Sequence, residues 1–203
     1  ADIDMSVLTG QLPIGTATHA FTGKFNGNGK TVSGIRLVAE TAANNYAFFG
    51  RVAGAEIFDL TVAGEVRSAG QNVGGLVGNV ASGATIAGCT NLCTVVGGLN
   101  TAGLVGYAAS KTGTLTLTNC KNGGAVTGTR YVGGMLGQSS IQSGKLTVTG
   151  CLNTGAVTAT AQLNGNADLG GIAGLVYSLD LANCMNKGAV TTDESVRGTA
   201  TKS

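Results

Sequence analysis

A short glycine-rich motif recurs along the chain, and this repetition constrains the fold more than any other feature of the sequence. Each copy places glycine around an aliphatic pair, at residues 74–78, 102–106, 133–137 and 170–174, with a degenerate copy at 46–50. The final glycines of successive copies are 28, 28, 31 and 37 residues apart. A period of this length predicts repeated structural units that stack on one another and bury a shared core.

A second motif follows the four full copies of the first and places a cysteine two residues before an asparagine, whereas Leu60 stands at the cysteine position after the degenerate copy. Short β-type runs surround both motifs. In residues 115–118, leucine and threonine alternate with the period of two that is typical of a strand. No segment carries the capped apolar stripe of a helix. We therefore predict an all-β chain that forms a right-handed parallel β-helix of about six rungs.

Stacking of the repeats predicts columns of equivalent residues, about 4.8 Å apart from rung to rung. The aliphatic columns are Val77, Val105 and Leu136, and Val95, Val126, Val157 and Val190. We expect a column of buried free thiols at Cys89, Cys120, Cys151 and Cys184, and an amide ladder at Asn91, Asn122, Asn153 and Asn186. The fifth cysteine, Cys93, stands where the other rungs have glycine, so we expect it to be more exposed and more easily oxidised.

The repeats also resemble a known family. Residues 21–35 resemble the opening coil of bacterial β-helix proteins, and the repeats resemble the GLUG motif, which is named for its glycine–leucine–any–glycine core. The resemblance covers roughly residues 1–190. We divide the chain into an N-terminal cap at 1–20, a first rung at 21–45, GLUG-like repeats at 46–190 and a polar tail at 191–203.

GLUG-like repeats occur in large surface proteins of host-associated bacteria, including adhesins and non-catalytic parts of immunoglobulin A peptidases. The resemblance therefore implies a non-catalytic module of a larger bacterial protein, secreted or at the cell surface. It implies a host protein or a glycan as the partner, with the β-helix as a binding scaffold or a stalk. The start at Ala1 fits both a matured secreted protein and a piece of a longer chain.

Composition argues against several other classes. A net charge of +2 is too small to indicate a nucleic-acid-binding surface, and no apolar run is long enough for a transmembrane helix. No acidic residue lies between Ser68 and Ala167, so the central rungs hold neither a carboxylate pair nor an acidic calcium site. The single histidine, His19, has no neighbours with metal-ligand or triad spacing. We predict no enzymatic activity, no metal and no cofactor.

Two alternatives remain open. The first is a carbohydrate-active enzyme, which would have to use acids of the end rungs such as Glu56, Asp59 and Glu65. The second is an ice-binding protein that uses a flat array of hydroxyls. The residues that fit such an array are Thr116, Thr118, Thr147 and Thr149.

Insertions in the repeat give the candidate ligand contacts, because insertions in solenoids often map to one functional face. Loops at 110–113 and 142–145 are expected to present Lys111 and Lys145 side by side, and a further insertion covers 159–167. A fourth column, six residues before each motif glycine, consists of Asn44, Asn72, Asn100, Tyr131 and Asp168. With Arg130 beside it, Tyr131 is predicted to contact a sugar or a peptide. The alternative is that these loops are solvated and bind nothing.

Overall fold

The chain folds as a parallel β-solenoid of six turns in a computed structural model that describes residues 1–160 and 168–193. Every regular element among these residues is a strand, so none of them lies in a helix that could cross a membrane. This confirms the predicted all-β parallel solenoid. Most of the insertion expected at 159–167 and most of the polar tail lie outside the described residues.

The first two turns are built from a few strands, two of them long. They contain β1 (Ile3–Asp4), β2 (Lys24–Val38), β3 (Phe49–Val52) and β4 (Ala55–Arg67). Each later turn has five short strands. Turn three contains β5 (Val73–Gly74), β6 (Val77–Val80), β7 (Gly83–Ala87), β8 (Thr90–Asn91) and β9 (Thr94–Val96). Turn four contains β10 (Leu99–Ala102), β11 (Val105–Ala108), β12 (Thr114–Thr118), β13 (Lys121–Asn122) and β14 (Val126–Gly128).

The last two turns follow the same plan. Turn five contains β15 (Arg130–Gly133), β16 (Leu136–Ser139), β17 (Lys145–Thr149), β18 (Leu152–Asn153) and β19 (Val157–Ala159). Turn six contains β20 (Leu169–Gly170), β21 (Ala173–Leu175), β22 (Asp180–Ala182), β23 (Met185–Asn186) and β24 (Val190–Thr192). Equivalent strands of successive turns pair in parallel and form sheets of 15, 4 and 5 strands.

The register of these sheets places like residues over one another. Val105 lies between Val77 and Leu136, and Val126 lies between Val95 and Val157. The exposed fraction of each of these side chains is 1% or less. The predicted aliphatic columns therefore form the core of the coil.

The glycine motif and the asparagine motif meet inside the coil. A Cβ atom on Gly75 would overlap the side chain of Asn91, and one on Gly103 would overlap Asn122. The same relation holds between Gly134 and Asn153, and between Gly171 and Asn186. Glycine is required at this place in the first motif because the asparagine of the second motif occupies the space that a side chain would need.

The asparagines of the second motif form a buried amide ladder. Nδ2 of Asn91 donates to Oδ1 of Asn122 at 2.8 Å, and Asn122 donates in the same way to Asn153 at 2.7 Å. Asn153 donates in turn to Asn186, also at 2.7 Å. Each Nδ2 also donates to the backbone carbonyl two residues further along the chain. The ladder satisfies polar groups that would otherwise be costly to bury.

A second column of asparagines differs by one residue from the sequence prediction. Asn45, not Asn44, continues the column of Asn72 and Asn100, and all three have left-handed backbones with φ between 56° and 60°. Their amides also form a ladder, with N–O distances of 2.7 and 2.8 Å. The sequence prediction placed this column six residues before each motif glycine. The first copy is one residue shorter than the next, since Tyr46 pairs with Val73 but Phe49 pairs with Val77, and the count therefore gave the wrong residue.

The four aligned cysteines are free, and the first three are buried while Cys184 is partly exposed. Their thiols donate to backbone carbonyls of their own and the preceding turn, as in Cys120 to the carbonyl of Ile86 at 3.5 Å. Burial raises the pKa of Cys89 to about 11. A hydrogen bond with the thiol of Cys151, together with burial, also holds the pKa of Cys120 above its ordinary value. This column packs as small apolar side chains, as predicted.

The prediction for Cys93 is wrong, because its side chain is fully buried. Asn91 holds the backbone of Cys93 from both sides, with its Nδ2 on the carbonyl and its Oδ1 on the amide, each at 3.1 Å. In this turn the Cys93 side chain joins the hydrophobic core. Burial raises the pKa of Cys93 to about 12, so it is a poor site for oxidation.

Residues 1–20 cover the first turn. Strand β1 pairs with β2 through Ile3 and Val32, and Ile14 forms a bridge to Phe49. The side chain of Gln11 joins four backbone groups, donating to the carbonyls of Met5, Leu8 and Gly34 and accepting from the amide of Arg36. As a result the inner side chains of β2 are buried, with Val32 at 4% exposure.

Candidate functional site

An open groove crosses three successive turns on the outside of the coil. It has a volume of about 370 Å³ and is lined by residues 54–56, 82–85 and 112–114. The groove lies where the connections between strands change length. Two residues join β3 to β4 and β6 to β7, whereas five join β11 to β12 and β16 to β17. We call this feature the loop groove.

The lining of the loop groove is polar and rich in hydroxyls. Ser82, Thr85, Thr112 and Thr114 contribute hydroxyl groups, and Glu56 contributes the one carboxylate of the lining. Glycines complete the floor, so backbone groups are also accessible. Hydroxyls donate and accept hydrogen bonds, which suits recognition of another polar, hydroxyl-bearing surface.

The carboxylate of Glu56 has a local partner. Nζ of Lys24 lies 3.2 Å from Oε2 of Glu56 and 4.9 Å from the centre of the Phe58 ring. Both charged side chains are at least half exposed, so this ion pair adds little to stability. The pair nevertheless places one positive and one negative charge at one end of the loop groove, the end formed by turn two.

Lys111 and Lys145 are both exposed on adjacent turns, but the structure does not place them side by side. Lys145 pairs with Thr114, three residues beyond Lys111. The carbonyl of Lys111 instead accepts the backbone amide of Gln142 at 2.9 Å. The offset arises because Gly144 stacks on Gly113, where a side chain would overlap the carbonyl beneath it. Glycine, not lysine, sets the register of the two loops.

Arg130 and Tyr131 contact each other and Asp168. The guanidinium of Arg130 lies 4.5 Å from the centre of the Tyr131 ring, and its Nε is 3.6 Å from Oδ2 of Asp168. Tyr131 has φ of 53° and continues the left-handed column of Asn72 and Asn100. The predicted ligand contact is thus a small intramolecular cluster, with Arg130 already paired.

The acids of the end rungs are held separately. Glu56 pairs with Lys24, and Glu65 pairs with Arg67 at 2.7 Å. Asp59 occupies a corner with φ of 49°. Across residues 1–160 and 168–193, no three histidine, cysteine or acidic side chains are grouped so that they could hold a metal ion. His19 is exposed, and its Nδ1 lies 3.0 Å from the hydroxyl of Thr18.

The threonines of the ice-binding alternative are in register over a small area. Thr116 lies between Thr85 and Thr147, and Thr118 pairs with Thr149. The array then ends, because the equivalent positions are Glu56 in turn two and Asp180 in turn six. It is a patch of five hydroxyls, not a continuous flat face.

Sequence reasoning located the two long loops but missed the loop groove itself, which also needs the short connections of turns two and three. Comparing 53–54 and 81–82 with 109–113 would have shown that two short connections precede the long ones. It also missed an apolar pocket of about 150 Å³ under the N-terminal segment, lined by Met5, Leu12 and Phe48 among others. That pocket is formed with residues of the N-terminal segment, which does not repeat, so the repeat period does not predict it.

Comparison with known proteins gives one structural similarity. No protein-family model and no curated protein sequence matches the chain. The fold is similar to the crystal structure of a "putative immunoglobulin A1 protease" from Bacteroides ovatus, with a TM-score of 0.64 and 18% sequence identity. The similarity covers 92% of this chain and 57% of that chain. At this identity the likeness shows a shared β-solenoid fold, and this chain spans little more than half of its neighbour.

Proposed function

We propose that this chain is a non-catalytic, adhesin-like module of a larger bacterial protein, secreted or at the cell surface. In this proposal the solenoid is a rigid scaffold that binds a host protein or a glycan, or separates such a site from the cell. The loop groove is the ligand-contacting surface. No cofactor or metal takes part.

One observation carries this proposal: the repeated residues pack against one another inside the coil, so they are not available to a ligand. The motif glycines make room for Asn91 and its equivalents, and those amides bond one another inside the coil. Exposed, non-repeating polar residues line the loop groove, where the connections are unequal. A regular scaffold that places variable loops on one face is the usual design of a solenoid that binds ligands.

The chemistry of the loop groove favours a neutral or weakly charged polar ligand such as a glycan. Its hydroxyls and exposed backbone offer hydrogen bonds, while Lys24 and Glu56 largely offset each other in charge. Exposed Lys111 lies on the long loop of turn four, and exposed Lys145 begins β17 directly after the long loop of turn five. They are available to a ligand longer than the groove.

We also propose that the repeats belong to the GLUG type. The glycine–leucine–any–glycine core occurs as residues 75–78 and 103–106. The structural role of these glycines, which pack against the amide ladder, supports treating the repeats as one family of units. The name of the structural neighbour, from a bacterium, fits the same surface-protein context.

The second candidate is an enzyme, and the name of the structural neighbour is the observation that favours it. A hydrolase at the loop groove would have to rely on Glu56, because the lining contains no second carboxylate and no histidine. Glycoside hydrolysis ordinarily needs two carboxyl groups about 5–10 Å apart. The groove therefore favours binding over turnover.

Binding and turnover can be measured on the same protein. We expect a glycan array, with host extracellular-matrix proteins printed beside the glycans, to show binding that Thr112→Glu and Thr114→Glu weaken by about tenfold or more, since a buried carboxylate at the contact is costly. The matched control is Thr127→Glu, on the outside of the same turn but away from the groove. Unchanged binding by the groove variants, or release of products from a bound polysaccharide or protein, would refute the proposal.

A further inference from the structure

The central turns of the solenoid carry positive charge that no acidic residue of the same stretch offsets. Residues 69–167 contain no aspartate or glutamate, but they contain three lysines and one arginine. The arginine is Arg130, which pairs with Asp168 just beyond this stretch. The lysines are Lys111, Lys121 and Lys145, and none of them forms an ion pair with any residue in 1–160 or 168–193. A surface with this imbalance attracts negatively charged groups.

Two of these lysines stand at the loop groove. Lys145 pairs in register with Thr114, which lines the groove, so it extends the turn-four side of the groove by one turn. The next residue of each strand is a buried leucine, so the side chains of Thr114 and Lys145 both point outward. Lys111 directly precedes Thr112, another lining residue, and both lysines are exposed.

Backbone hydrogen bonds hold the two long loops together. The carbonyl of Lys111 accepts the amides of three consecutive residues, 142–144, at 2.9, 3.1 and 3.3 Å. The loop of turn five is thus fixed on the loop of turn four, and the two form one wall at this end of the groove. Because the backbone sets this wall, the ammonium groups of Lys111 and Lys145 are left free to meet a ligand.

The two ends of the loop groove differ in charge. At the turn-two end, Glu56 pairs with Lys24 at 3.2 Å, and their charges offset each other. Glu56 is three turns away from Thr147 on the strand of Lys145, which is about 14 Å at the spacing of paired strands. This distance exceeds the Debye length of about 8 Å in physiological salt. Asp180 of turn six pairs in register with Thr147, so two lysines against one acid leave this end cationic.

The volume of the loop groove limits what it can enclose. At about 370 Å³ it lies near the lower limit of sites that enclose a small molecule. It therefore takes only part of a longer glycan, and the remainder extends beyond the groove. An acidic group beyond the turn-two end meets Glu56, whereas an acidic group at the opposite end meets Lys111 and Lys145. Charge complementarity therefore fixes the direction of the ligand along the coil.

We propose that the ligand of the loop groove is a glycan that carries an acidic sugar. Its neutral part lies in the groove against the hydroxyls of Thr112 and Thr114, and its carboxylate or sulfate group lies at Lys111 and Lys145. Lysine suits this role because its ammonium is a point charge on a flexible stem, which reaches an anion without a fixed geometry. The inference rests on the proposed function, since it names the class of glycan that the same surface binds.

Matched glycans test the inference directly. An array presents each glycan in three forms, in which the terminal sugar carries a carboxylate, a sulfate or no charge. We expect the full chain to bind an acidic form about tenfold more tightly than the neutral form at low salt, and the difference should shrink as ionic strength rises. The comparison of the carboxylate with the sulfate identifies the acid that the site takes.

Lysine variants give a second readout on the same array. Lys111→Ala and Lys145→Ala should each weaken binding of the acidic glycan by about threefold, the usual size of an exposed ion pair, and Lys145→Glu by about tenfold or more. Binding of the neutral glycan should not change, which also shows that each variant is folded. The matched control is Lys121→Glu, which makes the same change of net charge in β13 of turn four, away from the lining of the groove.

The outcomes separate this inference from the proposed function. Equal binding of neutral and acidic forms overturns the inference and leaves the loop groove as a glycan site. A preference for the acidic form that Lys145→Glu leaves intact, or that Lys121→Glu removes equally well, has the same consequence. Absence of binding to every glycan, neutral or acidic, overturns the inference together with the glycan site on which it rests.

Discussion

Among the described residues, the first and sixth turns belong to the same inner columns, yet the first turn is covered and the sixth is exposed. At the N-terminal end, Val32 and Leu37 are 4% and 3% exposed beneath residues 1–20. At the C-terminal end, Leu181 and Val190 are 52% and 41% exposed. Stacking of repeats buries only what lies between two turns, so an end of the coil needs a segment that is not a repeat.

The N-terminal segment shows what such a covering requires. It contributes one short parallel strand, β1, and a few side chains that satisfy backbone groups of the first turn. Gln11 bonds four backbone groups, and Arg51 of turn two donates to the carbonyl of Ala17 at 2.6 Å. The cover is thus tied down by polar contacts, while its apolar side chains leave a pocket of about 150 Å³ beside Ile35 and Phe48.

Deleting residues 1–20 should have the largest effect on this contrast. The deletion would expose Val32, Ile35 and Leu37, each of which contributes about 1.5–3 kcal/mol when buried. We expect a lower unfolding temperature, lower solubility and concentration-dependent aggregation, because β2 would become an open edge. Static light scattering measures the aggregation, and a deletion variant that stays monomeric and equally soluble would show that this segment is not a cap.

Truncating two leucines of the same column, one in turn four and one in turn six, should lower the free energy of unfolding by unequal amounts. Leu117→Ala in turn four is expected to lower the free energy of unfolding by about 2–5 kcal/mol, the usual cost of a cavity at a buried leucine. Leu181→Ala in turn six should cost about 1 kcal/mol or less, because half of this side chain is already exposed. Urea titrations provide both values, and equal losses would contradict the difference in exposure between Leu117 and Leu181.

The asparagines of the amide ladder allow the same comparison between a buried turn and the exposed sixth turn, now for polar side chains. Asn122→Ala leaves Asn91, Asn153 and the carbonyl of Gly124 without a buried partner, and each such group costs about 1–3 kcal/mol. Asn186→Ala leaves groups that water can reach, so we expect a loss of only a few tenths of a kcal/mol. Urea titration of the two variants would contradict this account if Asn186→Ala were the more costly.

Thiol reactivity gives the smallest but most selective effect. Of the five cysteines, only Cys184 is partly exposed, so one thiol per chain should react quickly with a small disulfide reagent. Burial raises the pKa of Cys184, so its thiolate fraction is smaller than that of a free cysteine at the same pH. The labelling rate should therefore rise with pH, by up to about tenfold per unit while pH remains below that raised pKa.

Two variants separate Cys184 from the fully buried thiols. Cys184→Ser should remove the fast phase of labelling, whereas Cys93→Ser should leave it unchanged. The remaining thiols should react only as the protein unfolds, because burial holds the pKa of Cys93 at about 12 and blocks access. Fast labelling of Cys93 would contradict its inward orientation.

The repeated parts of this fold could be predicted from the sequence, because the period itself states which residues stack. The columns of Val126 and Cys120 and the ladder of Asn122 follow from spacing alone. The predictions that were wrong concern residues at which one copy departs locally from the repeat. Asn45 replaced Asn44 in its column because one copy is a residue short, and Cys93 turned inward because Asn91 holds its backbone.

The candidate site was less predictable, because it arises between turns and not within one. The loop groove needs residues from three turns whose connections differ in length. Lys111 and Lys145 were compared by their positions within each loop, but the stacking of Gly144 on Gly113 decides the register. Arg130 and Tyr131 contact each other and Asp168, a relation that their sequence positions do not contain.

The central claim is that each turn lies directly over the equivalent residues of the next. Nuclear Overhauser spectroscopy of the labelled protein tests it most directly, at the side-chain amides of Asn122 and Asn153 and the methyl groups of Leu117 and Val148. The structure predicts strong cross-peaks within both pairs, whose members are 31 residues apart in the sequence. If each of these side chains instead showed contacts only to near neighbours in the sequence, the stacked arrangement would be incorrect.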